Sequence, residues 1–260
     1  MRPEPYIGIT GFMSRSEVEA VLEAIPAYTG RLVMVGVLAS NKTIRWVSNK
    51  YPNRYPKPDQ LGNIFLSRQA SHQERHKVLN LIHFYTDDPC NLCADLFRTE
   101  DLSGPDFDGF QLNVAWPNKE YLTHVKKSAD FQGKKIVLQC GQSAIDKCER
   151  SPAKIAERVR EYEGIVDYVL VDPSGGRGEE FDVDFARRCF EQLHNIDSIG
   201  YGVAGGLHPE NLYRLRVLLS EYPDFSWDAE GKLRDEDDNL DIKKTQDYLA
   251  MSDAMLREYL

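Results

Sequence analysis

Asp172 stands where acid–base chemistry is well served. It follows the apolar run Tyr168-Val169-Leu170-Val171 and precedes Pro173-Ser174-Gly175-Gly176-Arg177-Gly178-Glu179-Glu180-Phe181-Asp182. Burial at the end of an apolar strand pushes a carboxyl toward keeping its proton, which suits a general acid. The structural alternative is a carboxylate that caps the following loop. The same grammar recurs at 199–204, followed by Gly205-Gly206-Leu207-His208-Pro209-Glu210-Asn211. Glycines between an apolar strand and a helix start leave backbone N–H groups open to an anion. Gly175, Gly176, Arg177, Gly205 and Gly206 are therefore candidate binding residues for a phosphorylated small molecule, with Gly231 after the last strand-like run. Gln111 and Asn113 lie two apart on a strand-like segment and share a face. They are ligand-binding amides, or members of a satisfied polar core layer.

The elements that must position these groups alternate along the chain. Strand-like runs are expected at 6–10, 32–38, 78–85, 110–116, 135–139, 168–172, 199–204 and 225–228. Helical periodicity or capping is expected at 14–25, 60–76, 89–97, 118–129, 151–162, 182–193, 209–219 and 242–259. The segment 41–57 is polar, aromatic and proline-bearing, and reads as an extended loop. Eight strand–helix units in 260 residues predict one closed (β/α)₈ barrel over the whole chain. The alternative is an open doubly wound sheet, but no GxGxxG follows the first strand. In a barrel, chemistry sits at the carboxyl ends of the strands.

Composition narrows the function. A net charge of −9 argues against a nucleic-acid partner. No apolar run is long enough to span a bilayer, and the first residues carry no export signal, so the expected location is the cytoplasm. The five cysteines are odd in number and read as free thiols. Cys90-Asn91-Leu92-Cys93 lacks the second pair that a structural zinc site wants, and His72 and His76 lack HExxH order. No metal and no cofactor is therefore expected. Self-association is left open.

These residues together resemble phosphoribosylanthranilate isomerase, a (β/α)₈ enzyme of the tryptophan pathway. Leu170-Val171-Asp172 through Asp182 is similar to that family's strand-six aspartate and GGTGxxFD. Ala204 through Asn211 is similar to AGGLxPENV, Gly109-Phe110-Gln111-Leu112-Asn113 to VQLHG, and Ile7-Gly8-Ile9-Thr10 to CGIT. The match is dense over 165–212 and thin elsewhere. The resemblance implies a ribulose-phosphate-binding barrel and an Amadori rearrangement. In that chemistry an aspartate protonates the ribose ring oxygen and a cysteine takes the proton from C2. Asp172 falls on the acid. Ile7 falls on the cysteine and cannot take a proton. Asp228-Ala229-Glu230-Gly231 replaces a DVSSG-like phosphate segment, and puts a carboxylate where Lys232 or Arg177 must offset it. Arg45 is a candidate for holding a carboxylate of the substrate.

Two functions of different kinds follow. One is an aldose–ketose isomerase-like enzyme on a phosphorylated sugar derivative, with Asp172 as acid. The other is a catalytically altered barrel that binds a ligand or regulates. A hydrolase or lyase pairing Asp172 with Asp87, Asp88 or Asp228 ranks third.

Overall fold

The computed structural model describes residues 1–23, 30–67, 77–174 and 181–259. Eight parallel strands close into a barrel in sequence order: β1 (Tyr6–Thr10), β2 (Leu32–Ser40), β3 (Val78–Tyr85), β4 (Gly109–Asn113), β5 (Lys135–Cys140), β6 (Tyr168–Val171), β7 (Gly200–Ala204) and β8 (Ser226–Ala229). β8 pairs back to β1 through Ile7, Gly8 and Ile9, so no sheet edge remains. The (β/α)₈ barrel expected from the sequence is the architecture observed.

Helices ring the barrel: α1 (Arg15–Leu22), α2 (Leu61–Ile64), α3 (Leu92–Ser103), α4 (Lys119–Lys127), α5 (Gln142–Lys147), α6 (Pro152–Arg160), α7 (Val183–Leu193), α8 (Leu215–Glu221) and α9 (Ile242–Arg257). Their starts are written in local chemistry. Ser14 and Glu17 form a capping box on α1. Ser151 accepts from Lys154 N–H ahead of Pro152 in the first turn of α6. Asp182 and Asp241 accept from Phe185 and Lys244 N–H on α7 and α9.

Some boundaries differ from expectation. The fourth strand ends at Asn113, and Trp116 turns away at φ 54°. The expected helix at 60–76 is a single short turn over its described part, and 68–76, with His72 and His76, lie outside the described residues. The helix expected from Pro209 begins as a 3₁₀ segment, Pro209–Arg214, before α8. α5 is an additional short helix after β5. No described helix is long and apolar enough to cross a membrane.

Strand alternation sorts the core into two layers. Outward side chains such as Ile7, Ile9, Val33, Val35, Ile82, Leu112 and Leu138 pack under the helices. Tyr6, Met34, Leu79, Leu81, Val137, Tyr168, Leu170 and Ala204 fill the barrel itself. Tyr6 and Tyr168 meet edge to face at 5.2 Å between ring centroids. The same inward rows, carried toward the strand ends, turn polar: Thr10, His83, Gln111, Gln139, Asp172 and Asp228, all buried. The apolar plug therefore sits beneath a polar layer, which forms the floor of the carboxyl-end mouth.

Candidate functional site

The polar layer is one connected network. Asp172 is only 5% exposed. It accepts from Gln139 Nε2 at 2.7 Å, from Ser174 Oγ at 2.8 Å and from Ser174 N–H at 3.2 Å. Gln111 Nε2 lies 3.2 Å from Gln139 Oε1, 3.2 Å from His83 Nδ1 and 2.9 Å from Asp228 Oδ2. Thr10 Oγ1 lies 3.1 Å from each Asp228 oxygen. A hydrogen-bonded path thus runs from β1 through β8, β4 and β5 to β6, joining the two carboxyl groups.

Burial sets the charge of this floor. Asp228 is 3% exposed, and its carboxyl is pushed up to about 7. Desolvation is the main cause. The hydrogen bond from Gln111 opposes it, the negative charge of Glu230 adds to it, and Thr10 opposes it in turn. Burial lowers the His83 imidazole below its usual range, so the ring is neutral near pH 7. With Nδ1 turned to Gln111, its Nε2 carries the N–H.

Two cavities open above this floor and share His83, Gln139, Asp172 and Glu230 in their linings. One, of about 310 Å³, lies on the β6–β8 side and adds Ser174, Gly205, Gly206, Asp228, Gly231, Lys232 and Arg54. The other, of about 550 Å³, lies on the β3–β5 side and adds Asn113, Tyr85, Thr86, Gln142 and Lys147 among others. Asp172 stands where they meet.

Two glycines make room for the carboxyls. Gly205 has φ 94°, and a Cβ there would overlap Asp172 Oδ1 and Ser174 Oγ. Gly8 pairs in register with Asp228, and a Cβ on it would lie 2.7 Å from Asp228 Oδ1. The Gly205–Gly206 turn is held from behind by Asn211, whose Nδ2 donates to Gly206 O at 2.8 Å. Its Oδ1 accepts from His208 N–H at 2.9 Å.

The sequence-predicted residues are distributed as follows. Asp172, Gly205, Gly206 and Gly231 line the β6–β8 cavity, and Asn113 lines the other. Gln111 is fully buried among Gln139, His83 and Asp228, one layer behind the cavity walls. Gly175, Gly176 and Arg177 lie outside the described residues. Asp87 accepts from Asn41 Nδ2 at 2.6 Å, and Asp88 from Asn91 Nδ2 at 2.7 Å. Neither lines either of these two cavities.

Two expectations change. Ile7, which the motif register set on the family's cysteine, turns its side chain out into the layer beneath the helices. The inward residue at the end of β1 is Thr10. Arg45 is directed at Asp95 at 2.8 Å and donates to Asn41 O, away from both cavities. Of the two cations expected to offset Glu230, Lys232 lines the same cavity and Arg177 lies outside the described residues; Arg54 joins Lys232, 3.2 Å from Glu230 and itself held by Asp238 at 2.6 Å. Arg54 comes from the loop at 41–57. Only its position in a long insertion between β2 and α2 marked it, and no spacing rule singles out one arginine of such a loop.

No protein-family model matches this sequence, and no curated protein matches it. Solved structures do match the fold. Phosphoribosylanthranilate isomerase from Thermus thermophilus is 15% identical with a TM-score of 0.61, over 98% of this chain and 100% of that one. A phosphoribosylanthranilate isomerase complex with reduced 1-(o-carboxyphenylamino)-1-deoxyribulose 5-phosphate is also 15% identical, with a TM-score of 0.61, over 96% of this chain and 99% of that one. The carboxylase/oxygenase Rubisco from Pyrococcus horikoshii has a TM-score of 0.59 at 14% identity, over 98% of this chain and 59% of that one. Barrels of different chemistry thus share this fold, and function must be argued from the site.

Proposed function

We propose that this chain binds a phosphorylated sugar derivative and is built as an aldose–ketose isomerase of Amadori type. In this reading the phosphate seats on the β6–β8 side and Asp172 serves as acid. One observation carries the reading. The 310 Å³ cavity brings Asp172, Gly205, Gly206 and Gly231 into a single lining. A ligand whose phosphate lies at Gly205–Gly206 and Gly231 would lay its sugar over Asp172, with the other substituent in the β3–β5 cavity. The fold likeness to an isomerase that holds a deoxyribulose 5-phosphate compound supports the same layout. In this reading Asp172 gives its proton to the ring oxygen, the C1–O bond breaks with its electron pair going to that oxygen, and the lone pair of the C1 amine forms the protonated imine. Gln139 and Ser174 fix the carboxyl's orientation for that transfer.

The phosphate must settle beside Glu230. Like charges in such a site repel by about 4 kcal/mol at 4 Å and an effective dielectric near 20. Arg54, paired with Glu230, and Lys232 on the same cavity wall are the offsetting cations. Calorimetry with ribose 5-phosphate tests this seat. Gly206→Asp adds a charge where the phosphate lies, and at least tenfold weaker binding is expected. Equal affinities, or no binding by either protein, would remove the phosphate from the reading.

The second reading, a ligand-binding or regulatory barrel, is favoured by the inward residue of β1 being Thr10, a hydroxyl and not a base. Phosphoribosylanthranilate itself is expected to be a poor substrate, because the thiol that the resemblance requires on β1 is absent and Glu230 crowds the phosphate. Complementation of a tryptophan auxotroph lacking the isomerase should therefore fail. Growth at the wild-type rate would show that the native chemistry is intact.

A further inference from the structure

We infer that Asp228 is the second proton-transfer group of this site, the one that takes the proton from the sugar carbon next to C1. The inference rests on the reading above, in which a sugar phosphate lies over Asp172. It supplies the base that β1 lacks.

Among the described residues, Cys140, Cys148 and Cys189 belong to the outer layer beneath the helices, and Cys90 is exposed and lines neither cavity. Cys93 packs partly buried against the same outer layer. His83 is neutral and presents an N–H, which makes it a donor to a substrate oxygen. Glu230 is paired with Arg54. Asp228 remains. It lines the same cavity as Asp172, Gly205 and Gly206, and is joined to Asp172 through Gln111 and Gln139.

The surroundings of Asp228 suit a group that both gains and loses a proton. Among the described residues its hydrogen-bond partners, Thr10 and Gln111, are neutral, so neither locks it as a carboxylate. The described ionisable groups around it are Tyr6 and Tyr248, His83, Asp172 and Glu230, with Arg54 and Lys232 on the wall of the same cavity. Thr10 serves both protonation states. Its Oγ1 lies 3.1 Å from each Asp228 oxygen, so the hydroxyl donates to the carboxylate and accepts from the protonated acid. A carboxyl lifted to about 7 is also matched to base duty near neutral pH.

The step balances without an oxidant. Once the ring is open, Asp228 takes the C2 hydrogen as a proton. The C–H electron pair becomes the C1–C2 double bond, and the π pair of the protonated C1 imine passes to its nitrogen. The enol so formed gives the ketone when its hydroxyl loses a proton and C1 gains one.

The test uses ribose 5-phosphate in D₂O, with C2–H exchange followed by NMR and binding measured by calorimetry. In the open-chain aldehyde the C2 electron pair forms the enediol and the carbonyl oxygen takes a proton, so exchange reports the base alone. Wild-type protein should exchange, with a rate that rises through an ionisation near pH 7. Asp228→Asn should bind within a few-fold of wild type and exchange at least 100-fold more slowly, the lower end of general-base effects. Asp172→Asn should keep more exchange than Asp228→Asn, because an open-chain probe needs no acid on the ring oxygen. Exchange by Asp228→Asn at the wild-type rate overturns the inference. So does wild-type protein that binds without exchanging, a pH-independent rate, or a larger loss in Asp172→Asn. Should Asp228→Asn fail to fold, the wild-type pH profile decides alone. Failure of wild-type protein to bind ribose 5-phosphate is read in the calorimetry before any exchange, and removes the phosphate reading and this inference together.

Discussion

Asp228→Asn is expected to be more stable than the wild-type protein at pH 8 and no more stable at pH 4. The sign follows from where the proton is held. In the folded chain the carboxyl titrates at about 7, whereas an unfolded aspartate titrates near 3.9. Below pH 4 both states hold the proton, and the group contributes nothing. Between pH 4 and 7 only the unfolded chain releases it, so stability falls as pH rises. Above pH 7 the full penalty is present, about 4 kcal/mol for a shift of roughly three pH units. Asparagine removes that penalty and keeps the contacts. Its Oδ1 accepts from Gln111, and the Thr10 hydroxyl turns to accept from Nδ2. Melting curves across pH read the effect directly. A gain on the order of 10 °C is expected at pH 8, at roughly 2–4 °C per kcal/mol for a chain of this size. A difference that stays constant from pH 4 to pH 8 would show that Asp228 is not the buried, displaced group described here.

Gly205→Ala should cost stability and binding together. The residue has φ 94°, a conformation that L side chains rarely adopt, and its Cβ would overlap Asp172 Oδ1 and Ser174 Oγ. Backbone strain and overpacking each cost about 1–3 kcal/mol. The collision is relieved only by moving Asp172 off Ser174, which breaks the orientation of the acid and closes part of the β6–β8 cavity. Urea unfolding should show a loss of about 2–5 kcal/mol, and calorimetry should show no ribose 5-phosphate binding. Ser174→Ala is the control. It loses one hydrogen bond, worth about 1 kcal/mol, and leaves the carboxyl in place. An alanine variant at Gly205 with wild-type stability and binding would mean that the turn is not packed as described.

How much was legible depended on what kind of statement was made. The alternation of apolar runs with capped helical segments specified the eight-stranded barrel, because every parallel strand must be covered on both faces and each crossover must carry a helix. The same logic placed Asp172, Gly205, Gly206 and Gly231 at strand ends, and the cavity linings gather them. Local chemistry also survived the step to three dimensions. Ser14, Ser151 and Asp182 cap the helices that follow them, since a cap depends only on its own turn.

Which way each strand faces was not legible. Ile7-Gly8-Ile9-Thr10 is apolar or small throughout, and so is Val169-Leu170-Val171, because both faces of a barrel strand are buried. Without alternation there is no periodic signal to separate inward from outward. A motif register placed Ile7 at the site. Pairing of β1 with β2 and β8 turned it outward and brought Thr10 to Asp228. The same holds for the network of Thr10, Asp228, Gln111, Gln139 and Asp172, whose members come from five strands up to 218 residues apart. Arg54 met Glu230 across 176 residues. The sequence by itself determined which elements form, in what order, and that their carboxyl ends would carry the chemistry, since those depend on local patterning and coverage. Tertiary structure alone decided which side chains look inward and which of them meet, because closure of the barrel sets the register between strands, and no single segment contains that information.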